Sequence, residues 1–174
     1  ALAAPQVAQL SPTQVAAFSA GQVAALGEAA VSSLSEEQIA AFSTKAVTGF
    51  TAKQIEGLSK EQIQAMTSAQ MAAISASQVV ALGGENLRAL SAETIAAIKP
   101  ASLAGMSTDQ LSLLSGEQVG ALTAGQVAAL KPAHAAALSA SQIEAFSTTQ
   151  IAALGPTQLA ALSEQGVQSL STEQ

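Results

Sequence analysis

His134 is the single histidine of a 174-residue chain that has no cysteine and one aspartate, Asp109. A histidine can act as a general base or a metal ligand, but either role needs partners. No second ligand is spaced to complete a metal tetrad around it. Serine is abundant, yet a serine nucleophile needs an adjacent base, and none accompanies these residues. Glu36, Glu37 and Glu61 read as solvated side chains and not as an acid/base pair. Gly83-Gly84 lacks the flanking pattern of a phosphate-cradling loop, and one aspartate cannot build a calcium loop of the Asp/Gly type. The lack of cysteine removes disulfides and thiolate metal sites without fixing a compartment. The expectation is a protein that is not an enzyme and has no catalytic, cofactor-binding or metal residues and no cofactor.

His134 belongs instead to a repeat. It stands where glutamine normally stands in an eight-residue unit first met in full at Ser11-Pro12-Thr13-Gln14-Val15-Ala16-Ala17-Phe18. Numbering the unit from Ser11, position one is usually Ser or Thr, position four Gln, position five Val or Ile, and position eight Leu or Phe. Steps of eight from Leu2 to Leu170 meet 22 residues, and none is polar. No insertion breaks this register. A loop would have tolerated length changes, so each unit must be one rigid structural step.

One long helix cannot carry this pattern. Eight residues at ~100° each leave the apolar stripe rotated by ~80° per repeat, so it would spiral around the rod. Pro12, Pro100, Pro132 and Pro156 all occupy position two, where mid-helix proline would cost ~3 kcal/mol. The unit reads as a helix start signal given every eight residues. The position-one hydroxyl is an N-cap, the glutamine three residues later completes a capping box, and position two is N1, where proline is favoured. Ten of the twelve acidic residues fall at positions two or three, where the helix dipole favours them; Glu56 and Glu144, at position six, are the others.

The predicted architecture is all-α: a solenoid of very short helices, one per repeat over 1–174, each of about six or seven residues. Isolated helices need ~12–15 residues, so their stability must come from neighbours. Positions five and eight form the buried pair, as in Val15 with Phe18 and Ile39 with Phe42. Position seven is nearly always Ala, Gly or Ser, with Leu113 an exception, which predicts close backbone approach. Position six admits Glu56, Gln64, Arg88 and Glu144 and is placed toward solvent. Position four never carries a full charge, so its glutamines are placed inside, where stacked coils would align them in hydrogen-bonded ladders. A one-residue link between helices forces a large turn at each cap. The coil is expected to hold roughly three or four helices per turn and to form a rod roughly 50–70 Å long. A β-solenoid is the rival, disfavoured because Gln, Glu and Ala are poor strand residues.

The midsection departs most from the consensus. Gly83-Gly84 replace the cap, Asn86, Thr94 and Ser102 replace glutamine in succession, and Lys99 and Lys131 lack the cap hydroxyl. Drift within a tolerant scaffold is one reading; a local bend or binding site is the other.

Composition bounds the partners. The hydrophobic fraction of 49% is too high for a disordered chain, while aromatics at 2% imply a thin, closely approached core. A net charge of −6 argues against nucleic acid and anionic lipid, both of which call for clustered Lys and Arg. No apolar run approaches the ~18 residues of a membrane span, so membrane insertion is not expected. Val7 and Leu10 are in phase with the repeat, and the last unit stops at Gln174. The expectation is a segment of a longer array, whose partners are flanking repeats or another copy through exposed apolar end faces.

Segments such as Leu58-Ser59-Lys60-Glu61-Gln62-Ile63 and Phe146-Ser147-Thr148-Thr149-Gln150-Ile151-Ala152-Ala153-Leu154 resemble octapeptide arrays of large proteobacterial secreted or surface proteins, often adhesin-like or of hemolysin type. The resemblance covers the whole chain. It implies an extracellular or cell-surface setting and a spacer role, and it carries no catalytic residues. A spacer, stalk or fibre-forming segment is the first functional expectation. A solenoid scaffold for a protein or glycan partner is the second, weakened because such a face would show clustered aromatics or arginine. The chain has no Trp or Tyr, and Arg88 is its one arginine.

Overall fold

The computed structural model describes residues 3–174. Leu2, the first position-eight residue of the repeat, lies outside the described residues. Among these residues the structure is entirely helical, with no strand. Twenty-one helices follow one another at the repeat spacing. The first seven are α1 (Ala4–Ala8), α2 (Pro12–Ala16), α3 (Ala20–Ala24), α4 (Glu28–Ser32), α5 (Glu36–Ala41), α6 (Thr44–Val47) and α7 (Ala52–Glu56). Next come α8 (Lys60–Gln64), α9 (Ser68–Ala73), α10 (Ala76–Val80), α11 (Gly84–Ala89), α12 (Ala92–Ala97), α13 (Pro100–Leu103) and α14 (Thr108–Ser112). The last are α15 (Gly116–Gly120), α16 (Ala124–Ala128), α17 (Pro132–Ala137), α18 (Ala140–Glu144), α19 (Thr148–Ala153), α20 (Pro156–Leu159) and α21 (Glu164–Gln168).

Every helix starts at position two, directly after the predicted cap. Pro12, Pro100, Pro132 and Pro156 occupy N1, where the missing N–H leaves no partner wanting. The helices run to four, five or six residues, shorter than the six or seven expected. The corner between units takes two extended residues, not one. Phe42, with φ −58° and ψ 136°, precedes the cap Ser43, with φ −64° and ψ 154°. Leu154 and Gly155 repeat the pairing. No described residue has positive φ. The chain therefore reverses out of each helix without the left-handed residue that usually closes one. That frees position eight for a large apolar side chain.

The corners wind the helices into a coil. Each helix packs on the third one after it, from α1 on α4 to α18 on α21, with α11 against α14 the lightest such pair. Hydrogen bonds between turns join residues 28 and 31 apart. A separation of 28 is three and a half units, so a turn of the coil holds between three and four helices, as expected.

Positions five and eight build one continuous core. Val15, Val23, Ile63, Val79, Leu87, Ile95, Val119, Val127 and Ile143 at position five are fully buried. Position eight supplies Phe42, Phe50, Leu58, Leu90, Leu122 and their counterparts. Phe42 meets Phe50 edge-on with ring centroids 5.3 Å apart, and Phe18 lies 6.2 Å from Phe42 on the other side. Position six faces out, as at Glu56, Gln64, Arg88 and Glu144. Position seven is small for the expected reason. A Cβ on Gly49 would fall on the carbonyl of Ala20 in the turn below, and one on Gly105 would come 2.9 Å from the Cβ of Ala76.

Candidate functional site

The most ordered polar arrangement is the glutamine at position four, built from three pieces. The position-one hydroxyl accepts from the glutamine's backbone N–H, as Thr123 does from Gln126 at 3.2 Å. The glutamine Oε1 accepts from the cap's own N–H, here Thr123 N at 2.7 Å. Its Nε2 then donates across to the preceding turn, to the carbonyls of Ile95 at 3.0 Å and Ile98 at 2.7 Å. One side chain thus closes a capping box and ties two turns of the coil together.

The same bridge recurs along the chain. Gln38 donates to Val7 and Leu10, Gln62 to Val31 and Leu34, Gln78 to Val47 and Phe50, and Gln150 to Val119 and Leu122. The acceptors are the position-five and position-eight residues four units earlier, except that Gln110 reaches position-six Val80 in place of position five. Their carbonyls lie at a helix C-terminus, where intrahelical partners run out. The glutamines from Gln38 to Gln158 are buried, apart from half-buried Gln110, while position six is mostly exposed. Burial at position four is therefore as expected, but the expected ladder of glutamine side chains bonded to one another is not formed. Each amide is consumed by backbone: the carbonyl oxygen by a cap N–H, the amino group by carbonyls below. At Gln6, Gln14 and Gln22 the capping half alone is present.

Sequence reasoning missed this bridge, although a signal existed. A capping box accepts Glu as readily as Gln. In this chain Gln fills position four fifteen times and Glu never does. A carboxylate could cap but could not donate, and it would place a buried charge beside two carbonyl oxygens.

His134 occupies the glutamine position of its unit and performs both halves in reduced form. Its Nδ1 accepts from the N–H of Lys131 at 3.2 Å, and its Nε2 lies 3.0 Å from the Met106 carbonyl. These partners require the neutral tautomer with hydrogen on Nε2. Burial pulls its pKa below the usual histidine value, the Met106 carbonyl opposes the shift, and the charge of Lys131 adds to it. Among the described residues no group of three or more His, Cys, Asp and Glu is placed to hold a metal ion.

The acidic side chains Glu36, Glu37 and Glu61 border a shallow polar concavity with Ser35 and Ser59. Glu61 is exposed, and its carboxyl is held below its usual pKa by its own backbone N–H and then by the Ser59 hydroxyl. That is the behaviour of a first-turn acid at a capped helix.

In the midsection the bridge thins. Asn86 reaches one carbonyl, that of Leu58, at 3.1 Å. Thr94 shares a hydrogen bond with Ser91 inside its own unit and reaches nothing in the turn below. Ser102 donates to Ile74 at 3.1 Å. None of the three accepts from its cap N–H, at Gly83, Ser91 and Lys99. Gly84 adds a second departure. A Cβ there would lie 2.7 Å from Cδ1 of Leu113, the one bulky apolar residue at position seven. Leu113, at the end of α14, lies against the start of α11, where the two helices pack more lightly than the other such pairs.

Regular units, a continuous core and nearest-turn contacts define a tandem-repeat α-solenoid. No helix of the described residues is long and apolar enough to cross a membrane. The chain belongs to the ALTTAQ repeat family, whose model matches three times in tandem, at residues 31–68, 93–124 and 124–156, which together exceed half the chain. No match to a curated protein was found.

Proposed function

We propose that this chain is a non-catalytic structural repeat region, a spacer or stalk that holds flanking parts of a secreted or cell-surface protein at a fixed distance. One observation carries the reading: the glutamine bridge recurs from Gln38 to Gln174, tying turn to turn on both sides of the midsection. Such a coil resists bending because sliding or tilting one turn breaks directional bonds as well as apolar contact. The exposed positions support the same reading. They are dominated by Ser, Thr, Ala and Glu, with no Trp or Tyr and one arginine, Arg88, of the types that anchor tight interfaces. The extracellular setting rests on the likeness to octapeptide arrays of bacterial surface proteins.

Small-angle scattering on this array and on a tandem duplication of it tests the spacer. A stiff spacer doubles its maximum dimension on duplication. Growth with about the square root of length, as for a flexible chain, overturns the proposal.

A further inference from the structure

We propose that the turn α11–α13 is a built-in hinge, the place where the rod bends and opens first. The inference rests on the stacking geometry and not on the spacer role. Three consecutive units, which make up nearly a full turn, carry Asn86, Thr94 and Ser102 in place of glutamine. Between them they send two hydrogen bonds to the turn below, whereas Gln118 alone sends two and Gln150 three. Elsewhere a missing glutamine is isolated: Ala30, Ala46 and Gly166 each stand between units that carry glutamine.

Apolar packing persists across this joint, with α8 on α11, α9 on α12 and α10 on α13. Leu87, Ile95 and Leu103 are fully buried. Packing of that kind is non-directional and tolerates slip, while a hydrogen bond weakens steeply off axis. The joint therefore keeps cohesion and loses its register lock. On its other side α11 packs only lightly against α14, with Leu113 set against Gly84. Gly83 and Gly84, side by side at the entrance, supply backbone freedom where the bend begins.

Native-state hydrogen exchange on the whole chain, read by peptide fragments, tests the hinge. Amides of residues 87–106 are expected to exchange about tenfold faster than those of residues 54–82 and 118–154. The variant N86Q/T94Q/S102Q, which restores the consensus amide, should bring them to the flanking rate. The converse transplant Q142N/Q150T/Q158S should create a second fast segment, and it keeps the test open where the first variant fails to fold. Exchange that is uniform along the wild-type chain overturns the hinge. So does a fast segment 87–106 that neither variant shifts or reproduces, whatever the scattering experiment shows about overall stiffness.

Discussion

The turn α14–α16 and the turn α11–α13 bury the same kind of core, yet they are fastened differently. In the first, Gln110, Gln118 and Gln126 each donate to two carbonyls one turn back. In the second, three shorter side chains make two such bonds in all. At about 1 kcal/mol net per hydrogen bond, the difference is about 4 kcal/mol over the turn. Each turn also buries six large apolar side chains, in α11–α13 Leu87, Leu90, Ile95, Ile98, Leu103 and Met106. At about 1.5–3 kcal/mol each, these outweigh the missing bonds. The core thus makes the coil, and the amides fix how one turn sits on the next. That division of labour explains how position four can drift for three units without loss of fold.

The sharpest way to break the contrast is to put a charge into the well-fastened turn. Q126E retains the capping geometry but cannot donate to Ile95 or Ile98, and it buries a carboxylate against their carbonyls. It should destabilise by about 3 kcal/mol or more at neutral pH. Burial raises the pKa of that carboxyl, so its protonated form, which can donate, is favoured in the fold. The variant should therefore be most stable below the ordinary glutamate pKa and lose stability as pH rises through the raised one. T94V, at the matching position of the loose turn, should cost no more than about 1 kcal/mol, because Thr94 reaches nothing outside its own unit. Urea denaturation of both variants between pH 4 and 8 checks the pair; equal costs would erase the distinction between the turns.

Glycine gives the next largest effect. G49A drives a Cβ onto the carbonyl of Ala20, and backbone must move to admit it, at about 2–3 kcal/mol. Gly21, inside α3 with open space around it, should behave oppositely, G21A adding about 0.5–1 kcal/mol. Thermal melts of the two variants read the sign directly.

The contact of Leu113 with Gly84 is tested by coupling. G84A alone pushes against the flexible end of Leu113, and L113A alone leaves the gap between α11 and α14 unfilled. Together they approach the consensus arrangement, in which position seven is small. A double-mutant cycle should give a favourable coupling of about 1 kcal/mol. Additive costs would mean that Leu113 does not set the spacing of the two helices.

Much of this was readable from residue order. Ser11, Gln14 and Pro12 specify a helix start with a mechanism for each residue, and the unbroken step of eight forbids any loop. The pairing of positions five and eight follows from helical spacing. The small residues at position seven announced close approach, and Gly49 shows it. The partner of the glutamine amide was not readable, because it depends on how far the coil turns in one unit. The one-residue link left that rotation open, and the second extended residue, at Phe42 or Leu154, sets it. The preference for Gln over Glu held the information, but without the turn below it indicates burial and not what the amide meets. Leu113 and Gly84 are 29 residues apart, and their pairing became visible only when the coil brought them together.

The smallest expected effect concerns His134, which stands between the two regimes: it caps its unit and reaches one carbonyl, that of Met106. The fold holds it neutral, with a pKa below the ordinary value near 6.5. Above that value folded and unfolded chains are both deprotonated here, and the contribution of this site to stability is complete. As pH falls below it, the unfolded chain binds a proton that the folded chain refuses, so stability is lost until the folded pKa is passed. Protonation in place would also put hydrogen on Nδ1, against the N–H of Lys131. H134Q should remove this acid sensitivity and add the second carbonyl bond that the other units make, a gain of no more than about 1 kcal/mol at neutral pH. Denaturation of wild type and H134Q at pH 5 and pH 7.5 measures both. A stability difference between the two proteins that is the same at both pH values would show that the ring is not held neutral by its place in the coil.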